Sequence, residues 1–254
     1  MGRLTDKVAV ITGGAGEVAV ATARKFVDEG ARVCLADLDG EALARAAAPF
    51  GEAAMTCVAD VTQPEDNDRL VAEVEAHFGG FDCFVANAGV EGKVAPITEQ
   101  RVEDFDAVMA VNVRGVWLGI KSAMPALERR GGGTILILSS IAGVTGAAGI
   151  TPYNTSKHAV IGLMRSAAME GAPQRVRVNT VNPAPLETRM MRSLEDGMVP
   201  GDGQAAHDLI ASRIPLQRYG VPSDVASLLC FLASDEASFL TGSVYMVDGG
   251  QNAN

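Results

Sequence analysis

The chain has 254 residues, 48% of them hydrophobic and 20% charged, enough for a full core in one large α/β domain or two small ones, and too apolar for disorder. Its formal net charge of −10 argues against nucleic acid and against an anionic membrane surface. No apolar run reaches the ~18–20 residues of a spanning helix, and Met1–Val10 lacks the basic-then-apolar order of a signal peptide. Cys34, Cys57, Cys83 and Cys230 have no C-x-x-C spacing, so buried free thiols in a cytoplasmic protein are expected. The scattered His77, His158 and His207 argue against a metal site.

In chain order, short β-branched runs alternate with stretches of helical spacing. KVAVIT is followed by a glycine-rich turn and a helical pattern through Phe26; ARVCLAD and AMTCVAD come next, then helical spacing over Pro64–Phe78. FDCFVAN precedes a helical stretch at Val102–Glu128, GTILILSS precedes one at Tyr153–Glu170, RVRVNTVNP follows, and Pro222–Ser234 leads to GSVYMVDGG. Seven strands, each near-continuously apolar and joined by helices, predict an α/β doubly wound (Rossmann-type) parallel sheet with helices on both faces. No linker or repeat divides the chain, so residues 1–254 read as one domain. The Pro-, Gly- and Met-rich stretch at about 184–221, with two short helical patterns, reads as an insertion that forms a lid over a pocket.

The first turn, VITGGAGEVAV, can be read in two registers. From Gly14 it is G-x-G-x-x-A, the dinucleotide fingerprint; from Thr12 it is T-G-x-x-x-E-x-A. In both, Glu17 places a carboxylate where a pyrophosphate is expected. The second strand ends at Asp37, 23 residues after Gly14; an acid there can bond an adenosine ribose and repel a 2′-phosphate, or it can simply open the turn DLDG. Farther on, Tyr153 and Lys157 lie four apart on an expected helix and so share a face. A phenol is a poor base at neutral pH, and a nearby cation lowers its pKa, so the pair is a plausible proton-transfer device. Ser140, at a strand end, is placed to bond a substrate oxygen, or it is a turn residue.

Taken together, TGGAGEVA, AD at 36–37, ADVT at 59–62, ANAG at 86–89, VNV at 111–113, LSS at 138–140, YNTSK at 153–157, NPAPLET at 182–188 and VDGG at 247–250 resemble the short-chain dehydrogenase/reductase family from Lys7 to Gly250. The resemblance implies NAD(P)-dependent interconversion of alcohols and ketones on a seven-stranded sheet, as a tetramer or dimer. By position it implies Tyr153 as general acid/base, Lys157 on the nicotinamide ribose, Ser140 on the substrate oxygen, and Asn112 seating a relay water. Gly13, Glu17, Val18, Asp37, Leu38, Asp60, Val61, Asn87, Ala88, Gly89, Pro183, Leu186 and Thr188 would line the cofactor, NAD rather than NADP because Asp37 is followed by Leu38. Asn112 has a second reading as a helix irregularity, Asp60 as a strand-end cap, and Thr188 as an N-cap.

The departures fall in the phosphate loop. The surrounding register aligns Glu17 and Ala19 with two family glycines, and Ala184 replaces a third, where a positive φ would be costly. Two functions are therefore expected as alternatives: an NAD-dependent alcohol dehydrogenase or ketone reductase, or a related scaffold or regulatory binder with weak cofactor binding. The apolar Ile141, Val144, Ala147, Ile150, Pro185, Leu186, Met190 and Met191 are the pocket candidates, which suits a small apolar alcohol or ketone, though the methionines can equally pack the lid helix. Val108, Val111, Trp117, Ile120, Val160, Leu163, Met164 and Ala167 put apolar surface on more than one helix face, as a homotetramer interface would.

Overall fold

The computed structural model describes residues 2–253. All seven expected strands form: β1 Val8–Thr12, β2 Arg32–Asp37, β3 Ala54–Val58, β4 Cys83–Ala86, β5 Gly133–Leu138, β6 Val176–Pro183 and β7 Val244–Val247. They make one parallel sheet in the order β3-β2-β1-β4-β5-β6-β7. Alternation along β1 shows why both faces must be covered. Val8 and Val10 join one core, with Phe84, Ile120 and Met164; Ala9 and Ile11 join the other, with Phe26, Leu35 and Leu229.

Nine α-helices form among the described residues: α1 Glu17–Asp28, α2 Gly40–Ala47, α3 Pro64–Phe78, α4 Val102–Met109, α5 Val116–Arg130, α6 Thr151–Gly171, α7 Arg189–Met198, α8 Gly203–Ser212 and α9 Pro222–Ala233. The single helical stretch expected at Val102–Glu128 is interrupted. Ala110–Gly115 is a π-helical turn between α4 and α5, and Asn112 sits in it. The second reading of Asn112, a helix irregularity, is thus correct for the backbone. The 184–221 stretch folds into α7 and α8, as its two short patterns implied.

The chain reverses direction across the sheet between β1 and β4, whose C-terminal ends open the crevice where open α/β sheets bind ligands. All four cysteines are free and buried; burial holds Cys57 up at about 11 and Cys83 at about 12. They are inert thiols.

Candidate active site

The glycine loop is set by a few backbone demands. Gly13 has φ +64°, and a Cβ there would lie 2.9 Å from Ala88 Cα, so the turn requires glycine. Gly14 is pressed against β2; its N–H donates to Ala36 O at 2.9 Å. Asn87 and Thr12 lock the loop to β4: Asn87 Nδ2 donates to Thr12 O at 2.9 Å, and Thr12 Oγ1 accepts from Asn87 N and Ala88 N. The turn reading of Asp37 is realised, and the residue also braces the glycine loop. Its carboxylate accepts from Leu38 N at 2.8 Å, opening the turn, and from Ala15 N at 3.0 Å, bracing the glycine loop. Asp60 likewise closes a turn, accepting from Thr62 N and Thr62 Oγ1, both at 2.8 Å. The cap reading of Asp60 is therefore present in the fold. Val61 packs on Gly115 of the π turn.

Glu17 is the first residue of α1, but its carboxylate leaves that helix. Glu17 Oε2 accepts from Arg189 N at 2.8 Å, at the start of α7. The amides of Glu17, Val18 and Ala19 donate to no acceptor among the described residues. This is the usual state of a helix N-terminus, and it is an anion-binding arrangement. Ala19 is wholly buried beneath the loop, so its methyl is accommodated.

Tyr153 and Lys157 lie on the first two turns of α6, beside the end of β5. Lys157 is buried, and its Nζ donates to Leu138 O at 2.8 Å and lies 5.5 Å from the Tyr153 ring centre. Burial pushes the ammonium down to about 8. The Tyr153 phenol is raised rather than lowered, a correction to the expected effect of the Tyr–Lys pair. Burial is the largest cause, the Ser140 hydroxyl opposes it, and the Glu91 carboxylate adds to it. Ser140 Oγ accepts from Ala142 N at 3.1 Å, the turn role its second reading gave, which leaves its own proton free to donate.

Asn112 is fully buried. Its Oδ1 accepts from Val90 N at 2.8 Å and its Nδ2 donates to Val90 O and to Ser156 Oγ, so the side chain ties the loop after β4 to α6. Supports that the sequence reading missed stand nearby. Asn182 Nδ2 donates to Ser140 O at 2.8 Å and Ser139 Oγ donates to Lys157 O at 2.9 Å. Their signal lay in the motifs already singled out, LSS and NPAPLET. Gly89 forms the floor of this region. A Cβ there would come within 3.3 Å of Asn112 Oδ1 and 3.5 Å of Lys157 Nζ.

Thr188 caps α7, its Oγ1 accepting from Met191 N at 3.4 Å, so its N-cap reading is realised. Ala184 does not have a positive φ, so the strain expected there is absent; its N–H instead donates to Val247 O at 3.0 Å. Pro183 ends β6, and Leu186 bridges Gly220. Ile141, Val144, Ala147 and Ile150 lie on the segment between β5 and α6, while Pro185, Met190 and Met191 lie on the segment after β6. These two segments leave adjacent strands at the same sheet edge. Val94, unremarked in the sequence, meets both: a Cβ on Gly149 would lie 3.2 Å from it, and one on Gly197 of α7 would lie 2.7 Å from it. The loop after β4 is thus a third wall.

The cradle suits a dinucleotide: three unpaired amides at α1, a carboxylate at the end of β2, and glycine where side chains would fill the cleft. No helix is long and apolar enough to cross a membrane, and no metal-binding cluster occurs among the described residues.

Comparison with known proteins agrees. A family model described as "Enoyl-(Acyl carrier protein) reductase" matches residues 13–252. The chain is 33% identical over 256 residues to levodione reductase of Leifsonia aquatica, covering 99% of this chain and 96% of that one. It is 39% identical over 252 residues to 4-formylbenzenesulfonate dehydrogenase of Comamonas testosteroni, covering 98% and 99%. The crystal structure of levodione reductase superposes with a TM-score of 0.96 at 32% identity, covering 98% of this chain and 99% of that one. An NAD+-bound xylitol dehydrogenase superposes at 0.92 with 31% identity, covering 97% and 99%. The chain is an oxidoreductase-type fold of the short-chain dehydrogenase/reductase family.

Proposed function

We propose that this chain is an NAD(H)-dependent oxidoreductase that interconverts a secondary alcohol and a ketone. The observation that carries this reading is the convergence of Tyr153, Lys157 and Ser140 at the end of β5, with Ser139 bracing Lys157, Asn182 bracing Ser140, and Ser156 Oγ donating to the Tyr153 carbonyl. Two solved relatives hold the cofactor: the NAD+-bound xylitol dehydrogenase, and a 3-ketoacyl-(acyl-carrier-protein) reductase from Brucella melitensis complexed with NADH, 32% identical with a TM-score of 0.90.

When bound, NAD(H) supplies the hydride and, in its oxidised form, a positive ring. The protein supplies position and protons. Gly13, Val18 and the free α1 amides receive the diphosphate; Asp37 and Leu38 meet the adenosine ribose; Asp60, Val61, Asn87, Ala88 and Gly89 line the cleft; Pro183, Leu186 and Thr188 meet the nicotinamide end. Asp37 repels a 2′-phosphate, which favours NAD(H). In ketone reduction Ser140 donates to the substrate oxygen while Tyr153, protonated at neutral pH, gives its proton as that oxygen gains charge. Lys157 holds the nicotinamide ribose and keeps a cation beside the phenol. Asn112 fixes the loop and helix that carry these groups. Ile141, Val144, Ala147, Ile150, Pro185, Met190 and Met191, with Val94, form an apolar wall that fits a small apolar substrate. The protein works in the cytoplasm as a homotetramer, or as a dimer.

A second reading, a weakly liganded scaffold or regulatory binder, is favoured by one observation, the Glu17 carboxylate beside the phosphate cradle. NADH fluorescence titration separates them. Binding at micromolar to sub-millimolar concentration supports the enzyme; no binding of NAD or NADH at millimolar concentration supports the binder.

A further inference from the structure

We propose that Glu17 is a strap that closes the lid helix α7 onto the glycine loop in the free protein, and that a dinucleotide's diphosphate must displace it. The displacement half rests on the cofactor reading above. Glu17 begins α1 and Arg189 begins α7, 172 residues later, and the Glu17 carboxylate joins the two helix starts through a 2.8 Å bond from Arg189 N. The positive ends of both helices are thereby joined through one side-chain anion. On α7, Thr188 already receives Met191 N, and Glu17 takes Arg189 N, one of the two first-turn amides that Thr188 leaves open. On α1, the amides of Glu17, Val18 and Ala19 remain free to receive phosphate oxygens. A diphosphate seated on those amides stands next to the carboxylate and repels it, so strap and cofactor cannot hold the same ground.

The lid has other fastenings, which is why a single strap can matter without deciding the fold. Gly197 of α7 packs on Val94, and Glu187 N donates to Gly220 O at 2.9 Å. His207 of α8 lies between Glu195 at 3.2 Å and Glu187 at 3.7 Å, with the Tyr219 ring tilted against its own at a centroid distance of 4.1 Å. These hold the body of the lid to itself and to the rim. Glu17 alone ties the start of α7 to the glycine loop among the described hydrogen bonds.

The test uses the intact, cofactor-free protein and two variants. Glu17→Ala removes charge and acceptor while keeping a strong helix former; Glu17→Gln removes the charge but keeps an acceptor for Arg189 N. Amide hydrogen exchange is followed over Arg189–Leu194, and NADH affinity is measured at low and high salt. For Glu17→Ala the expected results are exchange at least fivefold faster with no cofactor present, and NADH binding about tenfold tighter at low salt with a smaller gain at high salt. Glu17→Gln should keep exchange near wild type and still bind NADH more tightly. Unchanged exchange in Glu17→Ala overturns the strap. Faster exchange with no gain in NADH affinity overturns the displacement, because Glu17 would then be ordering the lid without obstructing the cofactor. Faster exchange with no NADH binding by any form overturns the displacement and the dinucleotide reading together, and leaves the strap standing.

Discussion

Tyr153 and Lys157 share a helix face, but the fold sets their protonation in opposite senses. Burial raises the phenol and lowers the ammonium, to about 8. Tyr153→Phe keeps the ring and removes the proton donor, so kcat should fall at least a hundredfold while NADH affinity changes less than twofold. Steady-state kinetics with fluorescence titration check this, and more than a tenth of wild-type activity would contradict it. Lys157 carries a stability cost. Its folded pKa lies below the ordinary Lys value of about 10.4, so the unfolded chain binds more protons between about pH 8 and 10 and stability rises with pH across that window. The cost is fully present below pH 8. Lys157→Met should therefore raise the stability of the cofactor-free protein at pH 7 by about 1–2 kcal/mol, after allowance for the lost bond to Leu138 O, with activity lost. Urea unfolding at pH 7 and pH 10 should show the gain shrinking at the higher pH. The pairing itself was legible in the sequence because i and i+4 on a helix fix a shared face. The direction of the Tyr153 shift was not, because its causes are burial and Glu91, on a different loop.

At the scale of elements, the strands read plainly because a parallel sheet covered on both sides demands unbroken apolar runs. The helix starts and turns were harder. Nothing local marks the π turn at Ala110–Gly115, which depends on Asn112 being drawn toward Val90 and Ser156. Ala184 was misjudged because a family glycine does not oblige this chain to use a positive φ there. Glu17 was correctly placed at the start of α1, but its partner lies 172 residues away, and no spacing rule reaches that far. Asp37 shows how one residue serves element and site at once, since it holds both the β2 turn and the glycine loop. Asp37→Ala should lower the NADH-over-NADPH preference in kcat/KM at least tenfold. It should also destabilise the protein by about 1 kcal/mol, because Ala15 N loses its acceptor. Kinetics with both cofactors and a thermal melt measure the two effects; an unchanged preference would remove Asp37 from the ribose.

At the scale of the molecule, two partly apolar regions lie open at the surface of the described residues. One is a groove of about 500 Å³ between the outer faces of α5 and α6, lined by Trp117, Met124 and Leu163. Of the residues expected there, Val108, Ile120, Val160, Met164 and Ala167 are instead buried in the chain's own core, which narrows the surface to its outward members. The other is the β7 edge, half-buried along its length, near the fully exposed Phe239. Two separate faces are what a tetramer with two kinds of two-fold contact uses. Sedimentation should show a species of about four 26 kDa copies, and Leu163→Glu should reduce it to a smaller one. A 26 kDa species alone at micromolar concentration would exclude both the tetramer and the dimer.

The most direct measurement is NADH oxidation at 340 nm with a panel of small apolar ketones, run on wild type and Tyr153→Phe side by side. The expected result is ketone-dependent NADH consumption by the wild type, at least tenfold slower with NADPH, and nearly abolished in Tyr153→Phe. NADH bound by the wild type but consumed with no ketone, or consumed equally by Tyr153→Phe, would contradict a Tyr153-centred ketone and alcohol oxidoreductase.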